Sequence, residues 1–573
     1  MNLAPLRIRL IQANPVVGDL DGNLALALAA LNACREVDLL VFPECFLTGY
    51  PLQDLVLRPG FLSAVRERLD RLAVAVQARG GPAVLMGAPV AGADLPFNAA
   101  TLLLADGTRQ TLFKTELPNT DVFDERRTFA RGETSTPLTF NGWKIGAMIC
   151  EDMWHGRVTR ALTDEGADFL LVINGSPMEV GKQDVRVGHA RQRVKVAQLP
   201  LIYLNLTGGQ DELVFDGSSF AVAPDGEVIM QAPVQEAVID LLLTQDGRGQ
   251  AQLSVQDLRT SAVNPLYPDA EDTERLYWTL CTGLRDYVNK NRFTQVLLGL
   301  SGGLDSALVA ALAADALGAD RLITLMLPAA YTGEESRTLA DDMALRLGCH
   351  YGSLPVGAPV AELGQLVDQG LDLIGLPFTP AARQVANENI QARVRGNLLM
   401  ALSNSLPGSL VLSTGNKSEM SVGYATLYGD MCGGFNPIKD VYKTRVQDLC
   451  RWRNENHRAW MQGPEAPIPE RIITRPPSAE LAEAQTDEAS LGAYPVLDAV
   501  LEALIERMLS PEAAAREASR ALGEDVPLAY AERITRLVQR AEYKRRQAPP
   551  GIKVTSRSFG FGWRFPLTSA ATW

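Results

Sequence analysis

The chain has 573 residues, 46% hydrophobic and 21% charged, with a net charge of −13; this is enough for two large units with their own cores, and the acidic balance argues against nucleic acid as the main partner. No apolar run approaches the roughly 20 residues that span a bilayer, and Arg7 and Arg9 inside the first apolar segment argue against a secretory signal. Seven cysteines without a CxxC pair suggest free thiols in a reducing cytoplasm, and four isolated histidines offer no zinc site.

Leu6 to Pro15 reads as a strand, Asn23 to Ala33 as an Ala/Leu-rich helix, and Asp38 to Pro43 as a second strand. Strand-like segments recur at 83–87, 99–104, 143–150 and 169–173, so the first half is expected to be a layered α/β domain. Three residues stand at strand ends, where such folds place chemistry: Glu44 after Val-Phe-Pro, Lys114 after Gln-Thr-Leu-Phe, and Cys150 after Gly-Ala-Met-Ile. A cysteine at a strand-to-helix elbow is expected to gain thiolate character from the helix N-terminus and a nearby cation. A glutamate can take the thiol proton and a lysine can stabilise a tetrahedral oxyanion. Singly, each of these residues is commonplace.

Their contexts are not. Pro43-Glu-x-x-x-x-Gly-Tyr50, Lys114-x-x-Leu-Pro-Asn-x-x-x-Phe-Asp-Glu-x-Arg127 and Ile149-Cys-Glu-Asp-x-Trp154 resemble the Glu-Lys-Cys set of the nitrilase superfamily, in its glutaminase branch. The resemblance covers roughly residues 5–240 and implies an α-β-β-α sandwich. It makes Glu44 the general base, Lys114 the oxyanion cation and Cys150 the nucleophile on the glutamine side-chain amide. It further implies glutamine-binding roles for Glu125 and, in Ile173-Asn-Gly-Ser-Pro177, for Ser176. The family often carries an aromatic residue shortly after Leu-Pro-Asn, where this chain has Thr120. An N-terminal-nucleophile glutaminase is excluded because the chain begins Met1-Asn2-Leu3, and a Cys-His-Glu type because no histidine is followed by proline.

Residues 241–267 have weak periodicity and clusters of Asp, Gly, Gln and Pro, which reads as a domain end and linker. The expected domains are 1–261 and 262–573. Asp272 to Asn289 reads as an amphipathic helix leading into the next strand.

Gln295-Val-Leu-Leu-Gly-Leu-Ser-Gly-Gly-Leu-Asp-Ser306 reads as a buried strand, a glycine turn and a helix start. Such a turn offers N–H groups and the positive helix end to an anion, with Gly302 and Gly303 allowing close approach and Ser301 and Ser306 adding hydroxyls. No Gly-Lys-Ser/Thr follows, so it is not a Walker A loop. It resembles the Ser-Gly-Gly-x-Asp-Ser loop of the N-type ATP pyrophosphatases (adenine nucleotide α-hydrolase-like), which cleave ATP between its α- and β-phosphates. A second strand, Arg321 to Pro328, precedes a helix from Glu334 towards Leu347, and the second half is expected to be a doubly wound parallel sheet.

Asn389-x-Gln-Ala-Arg393, Ser413-Thr-Gly-Asn-Lys-x-Glu419 and Gly423-Tyr-x-Thr-x-Tyr-Gly-Asp430 then follow in the order found in NAD synthetases. Together with Ser301–Ser306, that resemblance implies that Thr414 contacts ATP, that Asn389 and Arg393 contact deamido-NAD⁺, and that Asp305 and Glu419 hold Mg²⁺. Lys443 resembles a phosphate-neutralising lysine, Ser478 a residue over the substrate, and Lys544 a pyrophosphate contact. The small ammonia-using members carry a lysine where Leu427 stands.

The two halves together resemble the glutamine-dependent NAD⁺ synthetases over nearly the whole chain. The resemblance implies ATP-dependent adenylylation of the nicotinate carboxylate of deamido-NAD⁺ and displacement of AMP by ammonia from glutamine. Free ammonia is mostly protonated near neutral pH, so a protected route for it is expected. The implied partners are small molecules and further copies of the chain.

Overall fold

The computed structural model describes residues 3–133, 136–262, 265–375, 377, 379–476 and 487–569. It divides into two compact units, Met1–Glu271 and Asp272–Trp573.

Among the described residues, the first unit holds two large sheets and a two-stranded antiparallel pair, Thr207–Gln210 with Leu213–Asp216. One has seven strands, in the order Ala251–Thr260, Ala237–Gln245, Leu6–Gln12, Leu39–Val41, Ala83–Val90, Phe97–Leu103 and Arg109–Phe113. The other has six, in the order Val228–Gln231, Phe220–Val222, Leu201–Asn205, Phe169–Asn174, Trp143–Ile149 and Leu138–Phe140. Their inner faces meet in one core. Alternate residues along each strand point into it, supplying Ile8, Leu10, Leu39 and Val41 from one sheet and Ile145, Ala147, Phe169 and Leu171 from the other. Helices Leu20–Ala33 and Pro59–Arg79 cover the outer face of the first sheet, and Gly156–Asp164 and Lys182–Ala197 that of the second. The result is the expected α-β-β-α sandwich.

The stretch 241–267, expected as a linker, is mostly sheet. Ala251–Thr260 pairs antiparallel with Ala237–Gln245 as an edge strand. Ala251, Leu253 and Leu258 face the core, but a register shift opposite Asp240 and Leu241 breaks the alternation between them and most other residues are exposed, so the sequence shows no clean period of two. The backbone also stays with the first unit beyond residue 262, since Val234 N–H donates to the Leu266 carbonyl at 2.8 Å and Leu266 N–H to Gln235 Oε1 at 3.1 Å.

The second unit is built on four parallel strands in the order His350–Ser353, Leu322–Met326, Gln295–Gly299 and Ser409–Val411. The connections run one way from Gln295–Gly299 out to His350–Ser353, then return past it to Ser409–Val411. The crevice beyond the carboxyl ends of Gln295–Gly299 and Ser409–Val411 is therefore the topological switch point of a doubly wound sheet. Helix Leu304–Leu317 is buried along nearly its whole length, and a helical cluster formed by Tyr494–Ile505, Pro511–Leu522 and Leu528–Arg540 packs its own core. Among the described residues no helix is long and apolar enough to cross a membrane.

Candidate active sites

In the first unit, Glu44 follows strand Leu39–Val41, Lys114 follows Arg109–Phe113, and both side chains are fully buried. Lys114 Nζ lies 2.8 Å from Glu44 Oε1 and 2.8 Å from Glu125 Oε2. Burial opposes the charged ammonium, but Glu125 and Glu44 outweigh it and hold the Lys114 pKa well above its usual value. Two of the three lysine donors thus face carboxylates, and the third suits an oxyanion.

Glu44 is fixed at both oxygens. Oε1 also accepts Asn98 Nδ2 at 2.8 Å, and Oε2 accepts the Gly175 N–H at 2.7 Å. A Cβ on residue 175 would meet the Tyr50 ring at 2.7 Å and Glu44 Oε2 at 3.2 Å, so glycine is what lets the backbone reach this carboxylate. Glu125 Oε1 accepts the Tyr50 hydroxyl at 2.9 Å and Asn98 Nδ2 at 3.3 Å. Burial pushes the Glu125 carboxyl up against the pull of Lys114, with Glu44 adding to the rise.

Cys150 opens the single 3₁₀ turn Cys150–Trp154 with φ +46°, a left-handed conformation rare for a side chain with a Cβ and common at functional elbows. Asp152 anchors the elbow: its Oδ2 accepts the Ile149 N–H at 3.1 Å, while Oδ1 accepts the N–H groups of Thr115 at 3.0 Å and Glu116 at 2.8 Å. It therefore ties the Cys150 turn to the segment that follows Lys114. Burial pushes its carboxyl up to about 7 despite these donors.

The expected thiolate character of Cys150 is not what the site provides. Burial first, and Glu44 second, push the thiol well above the ordinary range, and the opposing effect of Lys114 is smaller. A single 3₁₀ turn has too small a dipole to offset desolvation. A thiol raised in this way calls for a base as it attacks, a role open to Glu44.

Ser176 is buried, and its hydroxyl oxygen accepts from Arg186 Nε at 3.1 Å. Thr120 is exposed, while Phe123, three residues on, stacks on Tyr50 with ring centroids 6.3 Å apart. Sequence reading missed Asn98, which bridges both carboxylates, and Arg186 with its partner Asp216. Tyr50 and Asp152 lie inside quoted motifs and carried that signal; Asn98, a lone polar residue in strand Phe97–Leu103, carried none.

In the second unit a cavity of about 490 Å³ opens at the switch point. Its walls include Ser301, Gly303, Asp305, Ser306, Asn389 and Thr414, and also Glu419, Lys443 and Lys544. The loop is braced internally: Ser306 Oγ donates to the Gly303 carbonyl at 3.1 Å and lies 3.0 Å from Ser301 Oγ, while Gly303 N–H donates to Ser301 Oγ at 3.2 Å. Gly302, expected to make room for phosphate, also has a packing reason to be glycine. It has φ +75°, and a Cβ there would stand 2.2 Å from the Ser336 carbonyl oxygen. The glycine lets the loop pack on the start of helix Glu334–Leu347.

Lys443 Nζ contacts Asp305 Oδ2 and lies 3.2 Å from Glu419 Oε1. Asn416 Nδ2 donates to Asp305 Oδ1 at 3.0 Å while Asn416 Oδ1 caps helix Lys417–Val422 through the Glu419 N–H at 3.0 Å. Two carboxylates that converge on one ammonium can converge on a divalent cation, and hard oxygen donors beside a phosphate site suit Mg²⁺.

Other assigned residues are dispersed. Arg393 is exposed and off the cavity wall, donating to the Leu427 carbonyl at 3.2 Å; Arg395, two positions further along the same helix, is on the wall. Asn389 Oδ1 accepts the Thr426 hydroxyl at 2.8 Å, joining helix Pro380–Ser405 to the Gly423–Asp430 segment. Lys544 donates to the carbonyls of Gly423 at 2.8 Å and Ala425 at 2.7 Å, so it supports that segment from the cavity edge. Ser478 lies outside the described residues.

Two family models match the chain: carbon-nitrogen hydrolase over residues 7–250 and NAD synthase over residues 276–548. A glutamine-dependent NAD(+) synthetase of Rhodobacter capsulatus is 44% identical over 568 residues, covering 98% of each chain. One of Thermotoga maritima is 40% identical over 593 residues, again covering 98% of each. Among solved structures, glutamine-dependent NAD+ synthetase from Acinetobacter baumannii in complex with adenosine diphosphate is similar with a TM-score of 0.73, at 36% identity and 98% coverage of both chains.

Proposed function

The chain belongs to the glutamine-dependent NAD⁺ synthetase family, and from that premise we propose how its residues divide the work. It is a glutamine-hydrolysing NAD⁺ synthase that uses ATP as a substrate. The first unit makes ammonia. Cys150 Sγ attacks the side-chain amide carbon of glutamine while Glu44 takes the thiol proton, and Lys114 meets the oxyanion. Collapse of the tetrahedral adduct expels ammonia, with Glu44 returning the proton to it. Water, deprotonated by Glu44, then cleaves the thioester to glutamate. Glu125 keeps Lys114 charged, and Ser176 helps hold glutamine.

The second unit activates the acceptor. The nicotinate carboxylate of deamido-NAD⁺ attacks the α-phosphorus of ATP and pyrophosphate leaves. Ammonia attacks the resulting acyl-adenylate carbon, and AMP leaves. Ser301, Gly303 and Ser306 cradle the phosphates, Thr414 contacts the nucleotide, and Asn389, Arg393, Lys443, Ser478 and Lys544 serve the dinucleotide and pyrophosphate. Asp305 and Glu419 would hold Mg²⁺, which when bound neutralises charge on phosphate oxygens. We further assign the enzyme to the cytoplasm, where its seven thiols stay reduced, and expect a homo-oligomer.

One observation carries the reading: a single chain contains both a buried Glu44–Lys114–Glu125 cluster beside Cys150 and a cavity at a doubly wound switch point lined by Ser301, Asp305 and Glu419. The test is incubation with deamido-NAD⁺, ATP, Mg²⁺ and glutamine. NAD⁺, AMP, pyrophosphate and glutamate should appear in equal amounts; ADP in place of AMP contradicts the adenylylation step.

A further inference from the structure

Arg186, on helix Lys182–Ala197, is completely buried, and every nitrogen of its fork is engaged. Nη1 donates to Asp216 at 2.8 Å and 3.1 Å and to Gln183 Oε1 at 3.1 Å. Nη2 donates to the carbonyls of Ser176 at 2.9 Å and Pro177 at 2.7 Å, and Nε donates to Ser176 Oγ at 3.1 Å. Burying a guanidinium is costly unless it is paired and fully hydrogen-bonded, and here both conditions hold. Asp216 belongs to strand Leu213–Asp216, whose Val214 carbonyl also accepts the Met178 N–H at 2.7 Å, so one side of the clamp is rigid.

The consequence falls on Ser176. Its N–H donates to Asn205 Oδ1 at 2.9 Å, its carbonyl also accepts Asn205 Nδ2 at 3.0 Å, and its hydroxyl oxygen accepts from Arg186. What is left to direct is the hydroxyl proton; the protein group beside it is the buried Tyr203 hydroxyl, a neutral group that an anionic or carbonyl oxygen of a ligand can outcompete as acceptor. One lone pair of the serine oxygen is taken by the guanidinium, and the positive charge beside it disfavours a second donor, so the hydroxyl is biased to present its proton to a ligand.

We propose that Arg186 is a positioning residue of the glutamine site, which clamps the Ser176–Pro177 segment and sets Ser176 as a donor to an acceptor oxygen of the substrate. This rests on the first unit being the glutaminase. The field of Arg186 also reaches the Cys150 thiol, which favours accumulation of negative charge there during attack.

The test compares wild type, Arg186→Lys, Ser176→Ala and the double variant, with glutamine and with ammonium as nitrogen donor. Lysine keeps the charge but cannot span the fork's acceptors. Arg186→Lys should raise KM for glutamine about tenfold or more, the loss of one charged hydrogen bond, with kcat changed less than about threefold. Ammonium-dependent synthesis should stay within about twofold of wild type, since free ammonium bypasses the glutamine site altogether. The double variant should have the KM of Ser176→Ala alone, because Arg186 acts through that serine. An unchanged glutamine KM in Arg186→Lys, a fall in kcat with KM unchanged, or KM effects that multiply in the double variant would each overturn the proposal. If Arg186→Lys loses both activities, Asp216→Asn loosens the guanidinium from its other side; it should raise KM likewise, and an unchanged KM overturns the idea. Wild type that uses ammonium but not glutamine would refute the glutaminase reading itself.

Discussion

Lys114 Nζ lies 2.8 Å from Glu44 Oε1, although the two residues stand 70 positions apart and follow different strands of the seven-stranded sheet. The pair is fully buried, and the sheet order places the strand of Lys114 beyond two intervening strands from that of Glu44. Long side chains therefore converge beyond the carboxyl ends of these two strands, which run in the same direction. With Glu125 on the other side of the ammonium, the cluster carries two carboxylates for one cation.

Lys114→Met should leave Glu44 and Glu125 buried without their cation. Removing one partner of a buried pair costs about 3–5 kcal/mol. The first unit should lose that much stability in denaturant unfolding near neutral pH, along with glutamine-dependent activity. Unchanged stability would mean that the carboxylates do not depend on Lys114 for their charge.

Because the Cys150 thiol is raised by burial and by Glu44, its thiolate fraction is small at neutral pH and grows with pH. Iodoacetamide alkylation of Cys150 in the substrate-free enzyme should accelerate about tenfold per pH unit up to and beyond pH 9. A rate that is flat from pH 6 to 9 would reveal a preformed thiolate ion pair and refute the general-base role of Glu44.

Gly302→Ala should destabilise the second unit by about 1–3 kcal/mol, from a left-handed φ and overpacking against Ser336. Gly303→Ala, whose Cβ meets only Ser301 Oγ at 3.2 Å, should cost less. Calorimetric unfolding of the two variants gives the comparison; an equal cost would show that the Ser336 contact is not what demands glycine.

The strand-end positions of Glu44, Lys114 and Cys150 and the turn at Ser301–Ser306 are legible in the sequence because each lies in a short, locally specified context. Glu44, Lys114 and Cys150 end strands, and Ser301–Ser306 joins a strand to a helix. What sequence does not reveal depends on long-range geometry. Asn98 matters only because Phe97–Leu103 lies beside the lysine strand. The packing of Gly302 on Ser336 does not show in the sequence because Ser336 belongs to the following α/β unit. Ala251–Thr260 reads as a linker because a register shift in this mostly exposed edge strand breaks the alternation of Ala251, Leu253 and Leu258. The thiolate expectation fails because motif context shows the elbow but not the depth of burial.

Asp305→Ala should abolish NAD⁺ formation with either nitrogen donor, since Asp305 and Glu419 converge on one cationic position at the cavity wall. A drop of about 10²-fold or more in kcat is expected where a charge-stabilising group of the transition state is removed. The same variant should still hydrolyse glutamine, and Mn²⁺ titration with ATP, followed by electron paramagnetic resonance, should show weaker binding. Full synthetase activity would exclude Asp305 as a metal ligand.

The most direct measurement is NAD⁺ formation by Cys150→Ala with glutamine and, separately, with ammonium. The expected result is no NAD⁺ from glutamine and near wild-type synthesis from ammonium, because Cys150 serves only nitrogen release while Ser301–Ser306 serves activation of the acceptor. NAD⁺ made from glutamine without Cys150, or loss of synthesis with both donors in a folded protein, would contradict that division.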